Sequence, residues 1–139
     1  MLRKRIIFTL IYSDNFFCQS RNFRLQKVGD LDWLEQNYGF VETSFSIDEL
    51  VILDASRTNR SISNFSNVVE KLSKDVFIPI SAGGGIREMN DVDRLFRSGA
   101  DKIVLNSIIS TNEVLVRKKN YFMIALNYFE FMRDNILEI

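Results

Sequence analysis

The residues best suited to ligand chemistry are three consecutive glycines, Gly83, Gly84 and Gly85, which follow an apolar segment. Glycine has no Cβ, so the backbone N–H groups of such a turn are unshielded and can surround an anion, usually phosphate. Asn106 and Ser107 end the next apolar segment, where they would add an amide and a hydroxyl. The pattern predicts a phosphate site, unless the glycines only permit close strand-to-helix packing. It is not a dinucleotide site, because the GxGxxG spacing is absent.

The composition excludes several other kinds of chemistry. The chain has 139 residues with no histidine and one cysteine, Cys18. Imidazole zinc sites, Ser-His pairs and Cys-His pairs are therefore impossible, and the single thiol fits a reducing cytoplasm. Basic and acidic residues number 18 each, so no net field attracts nucleic acid or anionic lipid. We expect no metal, no cofactor, no signal peptide and no membrane span.

Four apolar segments predict the strands that position these residues: 4–12, 49–53, 76–80 and 102–105. The last two are joined through a helix, and strands connected in this way lie parallel. The carboxyl ends of parallel strands lie at one face of a sheet or barrel, which is where ligands bind. We therefore expect the glycine run to lie beside Asn106 and Ser107. Residues 16–23 predict a short extended excursion, and residues 40–47 a loop.

Helix signals separate the strands. The clearest is an apolar stripe of Phe65, Val68, Val69 and Leu72, at the spacing of one helix face. Polar residues before each helix and glycines after it predict the boundaries. In chain order these are Asp30 and Gly39 for the first helix, Ser61 or Ser63 for the start of the second, Asn90 and Gly99 for the third, and the capping-box spacing of residues 110–113 for the start of a fourth.

A strand followed by a helix, repeated four times, predicts an α/β fold with a mostly parallel sheet and helices outside it. Four such units are either a small open sheet or half of an eight-stranded (β/α)8 barrel, which typically takes ~250 residues. Spacing alone leaves both open.

Four collinear blocks resemble one family. They are MLRKRII at the start, DELVILD at 48–54, ISAGGGIRE at 80–88 and GADKIVLNS at 99–107. Together they resemble HisF, the cyclase subunit of imidazole glycerol phosphate synthase. The resemblance implies a TIM barrel made of two similar half-barrels. It also implies that ammonia from a glutaminase of the HisH type passes through the barrel to a phosphorylated ribulosyl substrate, which is then cyclised in histidine biosynthesis.

The resemblance implies roles for individual residues. Gly85, Asn106 and Ser107 match the family's phosphate site in the first half-barrel. Asp54 matches an active-site carboxylate at the mouth of the second strand. The charged ring where ammonia enters is matched, at the opposite face, by Arg5, Glu49 and Lys102. These three begin three different strands, so their charged groups can meet around the axis. Without the resemblance, surface ion pairing would be the preferred interpretation of them.

Two departures affect the chemistry that the resemblance implies. Ile11 stands where the family has the aspartate that acts as general base, and Gln19 replaces a lysine that helps to hold the substrate. The second catalytic aspartate belongs to a fifth strand, which the sequence does not predict. Since a positioned acid or base typically contributes ~10²–10⁴-fold, cyclisation is expected to be impaired in this chain.

The last part of the chain departs from the resemblance. Residues 1–117 are predicted to form the half-barrel domain, and residues 118–139 an unmatched tail. Helical spacing of the apolar residues from Phe122 to Ile136 predicts a long helix in this tail. It would be either a capping helix or a readthrough tail. An unclosed four-strand sheet would leave edges in need of cover, so self-association is also expected.

Three functions remain open at the level of sequence. The first is the histidine-pathway cyclase subunit itself, impaired in this chain. The second is a paralogous synthase subunit that passes ammonia to a surface-polysaccharide sugar, which Ile11 and Gln19 favour. The third is a non-catalytic, phosphate-binding half-barrel. The expected partners are a glutaminase subunit, a phosphorylated sugar or nucleotide-derived substrate, and a second copy of the chain.

Overall fold

The fold was determined as a computed structural model that describes residues 3–22, 24–110 and 123–125, the last five of these (109, 110 and 123–125) by their backbone alone. Seven described strands form one sheet in the order β3-β2-β1-β4-β5-β6-β7. The strands are β1 (Ile7–Ser13), β2 (Phe16–Arg21), β3 (Arg24–Gly29), β4 (Glu49–Asp54), β5 (Ile80–Gly83), β6 (Lys102–Leu105) and β7 (Met123–Ala125). The helices are α1 (Leu31–Tyr38), α2 (Phe40–Ser44), α3 (Ile62–Asp75) and α4 (Met89–Arg97), and a 3-10 helix spans Ser107–Ser110.

The strands β1, β4, β5, β6 and β7 pair in parallel, each with the next. Helices follow β4 and β5 along the chain and connect them to the next strand, as the alternation predicts. The core lies between the sheet and these helices, and its most deeply buried residues are Phe40, Phe65, Leu50, Ile52, Ile80, Leu95, Ile103, Val69 and Val92. The predicted α/β fold class is confirmed. The described sheet is an open, mostly parallel part of a (β/α) barrel.

One face of β1 is open, although its apolar composition predicted burial. Leu10 and Tyr12 pack into the core, whereas the side chains of Ile7 and Thr9, which alternate with them, are exposed. In a closed barrel the side chains of Ile7 and Thr9 would face the interior. They are exposed here because the described sheet is not closed.

The excursion after the first strand is a β-hairpin. β2 pairs antiparallel with β1 and with β3, and it carries a register shift between Phe17 and Cys18. The second strand of this hairpin, β3, was missed, because its side chains are nearly all exposed and show no apolar alternation. The segment predicted as a loop at 40–47 contains the short helix α2.

The third strand lies later in the chain than predicted. Residues 76–79 precede it, Phe77 is 86% exposed, and β5 begins at Ile80 after Pro79, which has no N–H to donate to a sheet. The strand consists of Ile80, Ser81, Ala82 and Gly83, all buried.

Most predicted helix boundaries are confirmed, and one is wrong. Asp30 accepts a hydrogen bond from Trp33 N at the start of α1, Gly39 ends that helix with φ 50°, and Ser61 rather than Ser63 caps α3. Helix α4 is capped by Glu88, not by Asn90. The carboxylate of Asp91 accepts hydrogen bonds from Arg87 N and Glu88 N, so the chain turns into the helix two residues earlier than predicted.

The tail prediction is wrong where the structure describes it. Met123–Ala125 is a strand, not a helix, and it pairs in parallel with β6. It thus takes the place of a fifth parallel strand, which the sequence analysis did not find. The other residues of the predicted tail helix, and most of the predicted fourth helix, lie outside the described residues. The domain division at residue 117 stays a prediction. No helix in the described ranges is long and apolar enough to cross a membrane.

Candidate functional site

A cavity of about 210 Å3 lies at the carboxyl ends of β4, β5 and β6. Its polar lining comes from Asp54, Gly84, Gly85, Asn106 and Ser107, and its apolar lining from Leu53, Ile86, Val104, Leu105 and Ile108. Asn106 and Ser107 are exposed at the rim of this cavity. The structure therefore brings together two of the predicted glycines and both predicted side chains.

Each of the three positions requires glycine for a different structural reason. Gly83 lies within β5, where a Cβ would overlap the Val104 carbonyl oxygen of the neighbouring strand. Gly84 and Gly85 follow the strand with φ of 108° and 65°, which only glycine adopts freely. A Cβ at Gly84 would overlap the Asp54 carbonyl oxygen. Gly83 thus serves strand packing, and Gly84 and Gly85 form the part of the run that lines the cavity.

Both carboxylate oxygens of Asp54 are engaged by the loop that follows β4. Its side chain is 1% exposed, and Oδ1 accepts a hydrogen bond from Ser56 N at 2.9 Å. Its other oxygen, Oδ2, lies 3.6 Å from Arg60 Nε, and Arg60 Nη2 donates to the Asp54 backbone oxygen at 3.3 Å. The carboxylate therefore holds the loop after β4.

Arg60 was missed by the sequence analysis. Its guanidinium lies against Gly85, where it would meet a Cβ if that residue had one. It brings a positive charge to the glycine turn and offsets the charge of the buried Asp54. The sequence signal for Arg60 was its place in a polar loop between a strand and a helix. Many surface arginines share that signal, so it does not single out Arg60.

Ile11 and Gln19 lie at a different place from the glycine turn. Both line a second cavity of about 270 Å3, between β1, the hairpin and α1. The other residues of its lining are largely apolar and include Phe17, Val28 and Trp33. The structure therefore brings these two positions together, but in surroundings that offer no carboxylate to replace the missing aspartate.

The opposite, amino-terminal end of the sheet carries a charged cluster centred on Glu49. Its carboxylate is 5% exposed and accepts three hydrogen bonds. Arg5 Nη2 donates to Oε2 at 3.0 Å, Lys102 Nζ donates to Oε1 at 2.9 Å, and Ser81 Oγ donates to Oε1 at 2.6 Å. The expected meeting of the three charged groups is thus observed. Ser81, the fourth member, was assigned no role by the sequence analysis.

The electrostatics of this cluster follow from its contacts. Burial alone would raise the pKa of Glu49, but hydrogen bonds from Ser81 and Lys102 and the charges of Lys102 and Arg5 outweigh it. The pKa is therefore lowered from its ordinary value. Glu49 is an anion at neutral pH and holds two cations from different strands at the sheet's amino end.

The described residues contain no group of three or more acidic or sulfur ligands suited to a metal ion. The polar lining of the glycine-turn cavity instead includes groups that can donate hydrogen bonds, namely the amide of Asn106 and the hydroxyl of Ser107. Donors of this kind match the oxygens of an anion.

Comparison with known proteins gives the family. The profile described as "Histidine biosynthesis protein" matches residues 31–123. A protein of Parasynechococcus marenigrum named "Putative imidazole glycerol phosphate synthase subunit hisF2" is 53% identical over 107 residues, which are 77% of this chain and 40% of that protein. The HisF subunits of Phocaeicola vulgatus and Dehalococcoides mccartyi are each 38% identical over 119 residues, which are 85% of this chain and 46% of theirs.

The chain spans less than half the length of these curated relatives. The profile match includes β4, β5 and β6, the three strands whose ends form the cavity, and it continues to β7. The chain therefore belongs to the histidine biosynthesis protein family, and the relatives it resembles are HisF subunits of imidazole glycerol phosphate synthase.

Proposed function

We propose that this chain acts as the amino-terminal half of a HisF-type subunit of imidazole glycerol phosphate synthase, which binds the phosphate group of a phosphorylated ribulosyl substrate. The observation that carries the proposal is the cavity at the carboxyl ends of β4, β5 and β6. It joins Gly84 and Gly85 to Asn106 and Ser107 in one space.

The binding step uses hydrogen-bond donors that are already in place. Backbone N–H groups near Gly84 and Gly85, the amide of Asn106 and the hydroxyl of Ser107 would share the phosphate oxygens. The positive charge of Arg60, beside Gly85, adds to the attraction for the dianion. Since Asn106 and Ser107 are exposed, the phosphate can enter from the open rim of the sheet.

The Glu49 cluster supports the second part of the proposal, the passage of ammonia from a HisH-type glutaminase. The cluster lies at the end of the sheet opposite the cavity, so the chemistry at the two ends is separated by the length of the strands. Arg5 is half exposed and Lys102 is one-quarter exposed, so a partner subunit docked at this face could reach both.

Cyclisation is the step that we expect this chain not to complete. Ile11 cannot accept a proton, and its cavity is largely apolar. Asp54 is committed to Ser56 and to Arg60. Loss of a positioned general base typically removes ~10²–10⁴-fold of rate, so the chain would bind its substrate with little turnover.

The binding proposal is tested by titrating the chain with inorganic phosphate and following backbone amide signals by NMR. Signals of Gly84, Gly85 and Asn106 should shift together and saturate. Asn106→Ala should weaken binding by about tenfold, as the loss of one charge-assisted hydrogen bond implies. Asn90→Ala, an exposed asparagine at the start of α4, is the matched control and should leave the affinity unchanged. Equal affinities in the two variants would remove Asn106 from the site.

A second candidate is a paralogous synthase subunit that delivers ammonia to a surface-polysaccharide sugar. It is favoured by Ile11 and Gln19, which alter acid–base chemistry and substrate contacts while the glycine-turn cavity and the Glu49 cluster are retained. Complementation of a strain that lacks the histidine-pathway cyclase tests whether this chain can complete cyclisation. We expect no growth on medium without histidine, and growth would contradict our interpretation of Ile11.

A further inference from the structure

A third cleft lies at the same end of the sheet as the glycine-turn cavity but is built from other residues. It has a volume of about 500 Å3 and is formed by the end of β1, the β2–β3 hairpin and the loop after β4. Its lining consists of Ser13, Asp14, Cys18, Arg24, Leu25, Lys27, Ala55, Arg57 and Thr58. We call it the hairpin cleft.

Three cations distinguish the hairpin cleft. Arg24, Lys27 and Arg57 come from two separate segments and have exposed side chains. None of them forms an ion pair with another described residue, whereas Arg5, Arg60, Lys74 and Lys102 each do. Positive charges gathered in one concave space repel one another, so their placement favours an anion between them.

The hairpin is held over this cleft by specific contacts. Asp14 N donates to Ser56 Oγ at 2.9 Å, which joins the β1–β2 turn to the loop after β4. The ammonium of Lys27 lies 4.8 Å from the centre of the Phe16 ring, a cation–π contact that restrains its long side chain. Cys18 and Lys27 are paired across β2 and β3, so their side chains share one face of the hairpin.

Lys27 and Asp14 both act on the thiol of Cys18. Burial raises the pKa of its thiol, the charge of Lys27 lowers it, and the charge of Asp14 raises it further. Asp14 is the one acidic residue in the lining, so three positive charges face one negative charge and the cleft stays positive. Asp14 Oδ1 is buried without a hydrogen-bond partner among the described residues.

We propose that the hairpin cleft is a second, separate binding site for a phosphate group. The guanidinium groups of Arg24 and Arg57 match phosphate oxygens in pairs, and Lys27 adds a point charge. Ser13 and Thr58 supply hydroxyls to the remaining oxygens. The site shares no residue with the glycine-turn cavity, so it does not depend on the function proposed for that cavity.

Cys18 provides a probe inside the cleft, because it is the only cysteine of the chain. The rate of its alkylation by iodoacetamide is measured on the full chain against increasing inorganic phosphate, with sodium chloride at matched ionic strength as the reference. We expect phosphate to slow the reaction to a plateau, which defines a half-protection concentration. Sodium succinate, at matched ionic strength, tests whether a carboxylate does the same.

Variants assign the effect to the cleft. Arg57→Met and Lys27→Met should each raise the half-protection concentration by about tenfold, the effect of losing one charge-assisted hydrogen bond. Lys4→Met removes one exposed charge at the other end of the sheet and should not change it. Asn106→Ala, in the glycine-turn cavity, should also leave it unchanged, so failure of one site is distinguishable from failure of the other.

Three outcomes would overturn the proposal. The first is alkylation that phosphate slows no more than chloride does. The second is the same half-protection concentration in Lys4→Met, Lys27→Met and Arg57→Met. The third is equal or better protection by succinate, which would remove phosphate as the preferred group.

Discussion

Gly84 occupies a backbone position that an L-amino acid with a side chain can take only under strain. Its φ of 108° lies in the region that favours glycine, and the Asp54 backbone occupies the space that a Cβ would need. The same crowding brings the end of β5 against the end of β4. Packing therefore requires glycine at this position.

The first prediction concerns stability at this residue. Gly84→Ala should lower the free energy of unfolding by about 3 kcal/mol, because backbone strain adds to the overlap with Asp54. Gly39→Ala is the matched control, since Gly39 also has a positive φ of 50° but has only Glu42 Oε2, at 4.0 Å, near the Cβ position. It should cost about 1 kcal/mol. Urea denaturation measures both, and equal losses would show that overlap with Asp54 is unimportant.

The second prediction concerns Glu49 and pH. Its pKa in the folded chain is lowered from the ordinary value of 4.5, so its contribution to stability is complete above that value and is lost as the pH falls through the lower, folded-state pKa. Glu49→Gln should cost about 2 kcal/mol at neutral pH. This is less than a fully buried pair would cost, because Arg5 is half exposed.

Below pH 4.5 the free energy of unfolding of the wild-type chain should fall as Glu49 becomes protonated. In Glu49→Gln this fall should be smaller, because the titrating carboxylate is absent. Glu70→Gln is the control, because Glu70 pairs with Lys74 on the exposed surface of α3. It should leave the urea midpoint at neutral pH nearly unchanged. Parallel stability–pH curves for wild type and Glu49→Gln would contradict the assignment.

At the scale of elements, the start of helix α4 determines the path of the chain that follows the glycine turn. The helix buries Val92 and Leu95 and begins only four residues after Gly85. Its start depends on Asp91, whose carboxylate accepts from two backbone N–H groups ahead of the helix. A change in this cap would shift the turn as well as the helix.

The third prediction tests this cap. Asp91→Ala should lower the free energy of unfolding by about 1 kcal/mol, as the loss of capping hydrogen bonds does in other helices. Asn90→Ala removes the neighbouring exposed side chain, which the sequence suggested as the cap, and should cost much less. If Asn90→Ala were the more damaging variant, the start of α4 would lie where the sequence predicted it.

At the scale of the whole molecule, the sheet is open along the face that would line a barrel. Ile7 is 54% exposed on this face of β1. The HisF relatives are more than twice the length that this chain covers, so in them a second half of the fold is available to complete the structure. We propose that a second copy of this chain covers the open face when no other half-barrel is present.

The fourth prediction follows from that proposal. Sedimentation equilibrium should detect a dimer, and Ile7→Lys should weaken it because a charge would be buried in an apolar interface. Phe77→Lys alters a more exposed apolar residue, in the segment before β5, and should leave the dimer intact. A wild-type chain that remains monomeric at all concentrations would contradict the proposal, as would equal weakening by both variants.

The sequence by itself determined the order of the parallel strands and the two places where function was expected. Local signals sufficed there, because glycine, asparagine and serine after apolar segments are tied to strand ends, and strand ends of parallel pairs share one face. The start of β5, the cap of α4 and the strand at Met123–Ala125 were not predicted. Pro79, the two bonds to Asp91 and the pairing with β6 decided them.

Only the tertiary structure decided which residues act together. It separated Gly83, fixed by β6, from Gly84 and Gly85 at the cavity, and it brought Arg60 to Gly85 across 25 residues of chain. It also joined Arg24 and Lys27 to Arg57 in the hairpin cleft. Contacts of this kind depend on the distance between elements after packing, and residue spacing along the chain carries no information about that distance.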